Sequence, residues 1–130
     1  MTEISREWLD YARRDLLSAE HLLTMWPVPV EIICFLCQQC AEKSLKGVLV
    51  EHNCEPPKTH DLNRLCKLCE DLDARFARWK DMCSDLAPYA SRSRYPNGPE
   101  VTEEDMRVAL KGSRKVFSFV CSVLEERPQT

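Results

Sequence analysis

The chain has 130 residues, 30% of them charged, and a net charge of −3. A single domain of that size buries its own core without metal or disulfide staples, and the negative balance excludes a general affinity for polyanions, so any nucleic-acid contact has to be local. No stretch approaches the ~18 uninterrupted apolar residues of a membrane span, and the segment from Met1 to Glu7 lacks a charged-then-apolar secretory pattern. The expectation is one cytoplasmic domain over residues 1–130, with no membrane contact and with its eight cysteines kept as reduced thiols.

Prolines at 27 and 29, at 56 and 57, at 88, and at 96 and 99 divide the chain into long segments of helical periodicity, and no run alternates convincingly. The class is all-α. A first helix is expected from about Thr2 to Met25, with Ile4, Trp8, Tyr11, Ala12, Leu16, Ala19, Leu22 and Leu23 on one arc. Asp15 falls inside that arc. A carboxylate there needs a cationic or N–H partner from elsewhere in the fold, either as an anchor between helices or as part of a ligand site.

The second helix is expected from about Val30 to His52, its main apolar arc made by Ile33, Leu36, Cys37, Cys40, Ala41, Ser44, Gly47 and Val48. Cys37, Cys40, Ser44 and Gly47 form a strip of small residues that lets another helix approach closely. The opposite side carries Gln38, Gln39, Glu42, Lys43 and Lys46, with Phe35, Leu49 and Val50 interleaved. Two sticky sides mean a helix that is central in the bundle or shared with a second subunit, and the reading adopted is a homodimer with this helix at the interface. Glu42 and Lys46 have the favourable i, i+4 order for an ion pair. His52, at the negative end of the helix dipole, is expected as a cation.

Thr59 is the expected N-cap of a short third helix reaching about Glu70, with Asp61 in its first turn and Leu62, Leu65, Cys66 and Cys69 inward. A fourth segment, from about Asp73 to Leu86, turns Phe76, Trp79, Met82, Cys83 and Leu86 inward and stops near Pro88. The turn-rich loop after it carries Arg92, Arg94 and Tyr95. Thr102 with Asp105 forms a capping-box pattern for a fifth helix to about Glu125, whose inner face holds Met106, Ala109, Leu110, Ser113, Phe117, Val120 and Leu124. About five helices joined by short loops make an up-and-down antiparallel bundle, a four-helix core plus a short helix.

The order of features is specific. It runs from Ala12-x-x-Asp15-Leu16 through Cys34-Phe35-x-x-Gln38-Gln39-x-x-Glu42-Lys43-x-x-Lys46 to Pro56-Pro57-x-Thr59-His60-Asp61-Leu62, then Arg94-Tyr95-Pro96 and Thr102-x-Glu104-Asp105. Together these resemble the HEPN family, both its small prokaryotic proteins and the HEPN domain at the C-terminus of sacsin, over nearly the whole chain. The resemblance implies a dimerising antiparallel bundle, a nucleotide-binding role, and pairing with minimal nucleotidyltransferases in toxin–antitoxin-like systems. Some members of the wider superfamily are ribonuclease toxins.

A nucleotide phosphate asks for cations and N–H donors from several elements. Lys43 and Lys46 on the second helix, Lys58 and His60 before the third, and Arg92 and Arg94 beside the stacking ring of Tyr95 are the candidates, against the plainer reading of ordinary solvated charge. The superfamily's ribonucleases carry an R-x4-6-H motif in the later helices, which this chain lacks there. Its one spacing match, Arg14-x6-His21, lies on the first helix with the two residues ~10 Å apart along the axis, so a coincidence is the reading. RNA is therefore a partner only under a ribonuclease alternative, and no catalytic residue is assigned; a purely structural interaction module is the third class. The pattern Cys34-x-x-Cys37-x-x-Cys40 with Cys66-x-x-Cys69 offers enough thiols for a metal or cluster. On a continuous helix, however, residues three apart are separated by ~4.5 Å in rise and ~60° in direction, so packing is the reading, and no metal or cofactor is expected.

Overall fold

The computed structural model describes residues 1–91, 96, 98 and 100–127. Five α-helices follow one another: α1 (Glu3–His21), α2 (Val30–Glu51), α3 (Leu62–Leu72), α4 (Lys80–Leu86) and α5 (Glu103–Glu125), and no strand occurs among the described residues. Single 3₁₀ stretches extend α1 (Leu22–Thr24), precede α4 (Ala74–Trp79) and follow it (Ala87–Ala90). The expected fourth helix is thus half 3₁₀. Asp73 caps the 3₁₀ stretch by accepting from Arg75 N, and Pro88 follows α4 because a proline cannot continue the backbone ladder.

The helix ends are written in short-range chemistry. Thr2 Oγ1 accepts from Ser5 N at the start of α1, and Thr102 and Asp105 form the full capping box at the start of α5. At α3 the cap is Asp61, whose carboxylate accepts from Asn63 N and Arg64 N; Thr59, the expected cap, instead accepts from Asp61 N just upstream. Asp61 Oδ1 accepts both N–H groups while the Thr59 hydroxyl is taken up by Asp61 N, so α3 starts two residues downstream of the expected cap. Helix α2 ends in a left-handed turn: Asn53 has φ 58°, Cys54 N donates to Leu49 O at 2.8 Å and Asn53 N to Val50 O at 3.0 Å.

Helix α2 is the hub, packed against α1, α3 and α5, with fourteen of its residues buried, from Ile33 through Glu51. Its small-residue strip works as expected. A methyl group at Gly47 would stand 3.4 Å from Trp8 Cβ and 3.8 Å from Ser5 O, so α1 lies close against it, while Ser113 Oγ of α5 donates to Cys37 O at 3.1 Å. That close approach rotates α1 relative to the expected arc. Ser5, Leu9, Ala12, Leu16 and Ala19 are buried, whereas Ile4 and Tyr11 face outward, because the smallest side chains sit where the backbones nearly touch. The inner faces of α3 and α5 hold every residue expected there. Phe76 and Trp79 meet the Phe119 ring edge-on at 5.2 and 5.3 Å, which packs the 3₁₀ stretch onto α5. No helix of the described residues is long and apolar enough to cross a membrane.

Candidate functional site

The outer edge of α2, between α1 and the segment leading into α3, collects a connected set of polar side chains. Glu42 lies at its centre and is only 4% exposed. Its Oε2 accepts from Lys46 Nζ at 3.1 Å, one turn along the helix, as the i, i+4 order predicts. Its Oε1 stands 2.9 Å from His60 Nδ1 and 3.3 Å from Gln38 Nε2. A carboxylate can only accept, so Nδ1 carries the proton, and Nε2 is left on a side chain that is 71% exposed. Gln38 Nε2 also donates to His60 O at 3.1 Å, and Gln39 Nε2 to Gln38 Oε1 at 2.7 Å. The histidine is thereby held through both its ring and its backbone.

Lys46 is buried, with its ammonium 6.0 Å from the centre of the Trp8 ring. One turn back, Lys43 Nζ donates to Asp15 Oδ2 at 2.6 Å. This supplies the cation that Asp15 requires and pins α1 to α2 with a half-buried pair. Beside that pair, Glu7, Trp8, Tyr11 and Lys43 line a hollow of about 280 Å³ whose surface is mostly apolar. Tyr11, 53% exposed, carries the Arg14 guanidinium 4.7 Å above its ring. Both Arg14 and His21 are exposed on α1.

Of the candidate residues, Asp15, Lys43, Lys46 and His60 therefore belong to one seam, with Lys46 inside it rather than on its surface. Lys58 is exposed in the loop two residues before His60. Arg92, Arg94 and Tyr95 lie outside the described residues. His52 departs from expectation: burial and then the Arg127 guanidinium, 3.5 Å from its Nε2, hold its pKa below the ordinary value of 6.5 and favour the neutral ring. Burial first, and then the neighbouring fixed cation, oppose the charge that the helix dipole favours. Cys34, Cys37 and Cys40 are buried along continuous α2, and burial pushes Cys34 up to about 12 and Cys40 to about 11, so they stay protonated thiols. Trp8, Tyr11 and Glu7 were not legible as a site, since Trp8 and Tyr11 read as ordinary core positions; only the adjacency of two aromatic rings to Lys43 across the helix pair marks them.

A central helix flanked by antiparallel neighbours and carrying a polar network on its outer edge defines a helical-bundle protein of the kind that the sequence pattern suggests. The HEPN domain family model matches residues 5–126, and the chain belongs to the HEPN family. It is similar to TT1696 from Thermus thermophilus, with 27% identity and a TM-score of 0.78, covering 91% of this chain and 96% of that one. It is similar also to ST0689, an archaeal HEPN homologue, with 26% identity and a TM-score of 0.74 over 92% of this chain and 97% of that one. No curated protein matches the chain.

Proposed function

We propose that this HEPN protein is a cytoplasmic homodimer that binds a nucleotide or another phosphate-containing ligand, without catalysing a reaction, and works with a minimal nucleotidyltransferase as a toxin–antitoxin-like pair. The observation that carries the ligand reading is the hollow lined by Trp8, Tyr11 and Lys43. It sets two aromatic surfaces for a base beside an ammonium for a phosphate, which is the chemistry a nucleotide needs. His60 and Lys58 extend the same edge. The dimer reading is supported by the stripe of α2 that its own chain covers only in part, Ile32, Phe35, Gln39, Lys43 and Val50.

Calorimetry with adenine and guanine nucleotides tests the ligand. Saturable heat is expected, reduced by Tyr11→Ala and by charge removal at Lys43, Lys58 or Arg94; silence across the common nucleotides sinks the reading. Light scattering on dilution tests the dimer, and a monomer at micromolar concentration rejects it. A small nucleotidyltransferase encoded in the adjacent reading frame is the observation that bears on the partner.

A further inference from the structure

Glu7 is the one lining residue of the hollow at Trp8, Tyr11 and Lys43 to which the proposed nucleotide reading gives no role. It is exposed on α1, one turn before Tyr11, and has no hydrogen bond or ion pair among the described residues. Lys43, on the other helix, is held at 2.6 Å by Asp15 rather than by Glu7. The lining therefore offers one cation already fixed in place and one carboxylate with its acceptor capacity free.

A nucleotide has one part that a carboxylate repels and another that it can bind. Phosphate oxygens are anionic acceptors, so they go to Lys43 and away from Glu7. What comes to Glu7 is then the edge of a base that lies on the aromatic rings. A carboxylate only accepts, and its two oxygens match two parallel N–H donors. Guanine presents that pair, N1–H beside the 2-amino group. Adenine and cytosine each set a ring-nitrogen acceptor beside their one amino group, and uracil flanks its single N–H with two carbonyl oxygens. Each of these turns an acceptor toward the carboxylate and leaves it partly unpaired.

We infer that Glu7 selects the base and that the ligand of this hollow is a guanine nucleotide, whose N1–H and 2-amino groups donate to the Glu7 carboxylate while the base lies on Trp8 and Tyr11. The inference rests on the nucleotide reading above and narrows it to one base. The rings supply affinity without choice, because every base has a π face; the carboxylate supplies the choice. A bidentate contact to a base edge separates the right base from the wrong one by about 5- to 150-fold, and a hollow open to water belongs toward the lower figure.

The experiment is calorimetry on the full chain with GMP, IMP and AMP in one buffer. GMP should bind about tenfold more tightly than AMP, with IMP between them, because hypoxanthine keeps N1–H and lacks the 2-amino group. Glu7→Gln should collapse or invert the GMP-to-AMP ratio, since a carboxamide offers one donor and one acceptor, the complement of adenine's edge. Both nucleotides carry the same phosphate, so the ratio cancels the general gain from removing a negative charge. Asp10→Asn, exposed on the same helix outside the lining, should keep the ratio of the unaltered chain. AMP binding as tightly as GMP, a ratio that Glu7→Gln leaves unchanged, or one that Asp10→Asn alters equally overturns the inference and leaves the nucleotide reading standing. No saturable heat with any of the three overturns both.

Discussion

Replacing Glu42 by glutamine tests whether the polar seam is assembled as described. The substitution keeps the shape and removes the charge, leaving the Lys46 ammonium with 9% of its side chain exposed and no anion. Breaking a buried ion pair from one side costs ~3–5 kcal/mol, because the surviving charge stays desolvated. His60 adds little, since its ring is mostly in water. Taking ~3 kcal/mol against a urea dependence of ~1–3 kcal/mol per molar, the unfolding midpoint should fall by about 1–3 M. Lys46→Met added to Glu42→Gln should recover most of that loss, because it removes the stranded charge and leaves an apolar chain against Trp8. Urea unfolding followed by far-UV circular dichroism gives both numbers. A loss below ~1 kcal/mol for Glu42→Gln, or no recovery in the double variant, would mean that Lys46 is solvated and the reasoning about a buried pair is wrong.

Glu51 gives a pH prediction. Burial raises its pKa, but the Thr2 N–H at 2.9 Å, the Ser5 hydroxyl, the N-terminal ammonium and Arg127 together hold it below the ordinary 4.5. A depressed carboxyl contributes stability that is present above 4.5 and lost as pH falls through the folded value; Glu51→Gln should therefore cost about 2 kcal/mol at neutral pH, and the gap to wild type should close in acid thermal melts. Thr102→Ala removes one half of the α5 capping box and should cost about 1 kcal/mol in chemical denaturation. Gly47→Ala adds a methyl at ordinary contact distance from Trp8 and Leu9, so the helix-propensity gain of up to ~1 kcal/mol should survive in the melting temperature. Gly112→Ala overlaps the Met82 thioether instead; Met82 borders a hollow of about 240 Å³ and can swing aside, so the change should stay within ~1 kcal/mol of wild type in the same melts.

The bundle was legible because its signals are local. The inner faces of α3 and α5 follow from helical period alone, and the α5 capping box from two residues three apart. The rotation of α1 was not, because Ile4 and Ser5 exchange their expected roles only when Gly47 admits the α1 backbone, and nothing on α1 itself records that contact. The same limit applies to the site. Glu42 with Lys46 is a spacing on one helix and could be read, whereas His60 reaches Glu42 from eighteen residues away and Lys43 reaches Asp15 from twenty-eight. Asp15 announced the need for a partner through its place on an apolar arc, but the sequence could not name Lys43. His52 departs from expectation for a similar reason, since its burial and then the Arg127 guanidinium, brought from the far end of the chain, both arise from tertiary packing.

The second side of α2, which in sequence looked like a surface shared with another subunit, is largely accounted for within the chain. Leu49 is buried, Lys46 is covered beside Trp8, and Glu42 is enclosed by donors from α2 and the segment before α3. What stays partly open is a narrower stripe, and the charge on it, Lys43, is already matched by Asp15. Among the described candidate cations, Lys58 is the one without a carboxylate within ion-pair distance. A phosphate arriving at this edge therefore meets one uncommitted cation and must compete with Asp15 for Lys43, at a pair exposed enough for water to assist the exchange. The hollow and the ion pair then act together, because occupying Lys43 loosens the link that ties α1 to the central helix just where Trp8 and Tyr11 line the cavity. Under the proposed ligand reading, binding at that edge would therefore be expected to alter the α1–α2 contact.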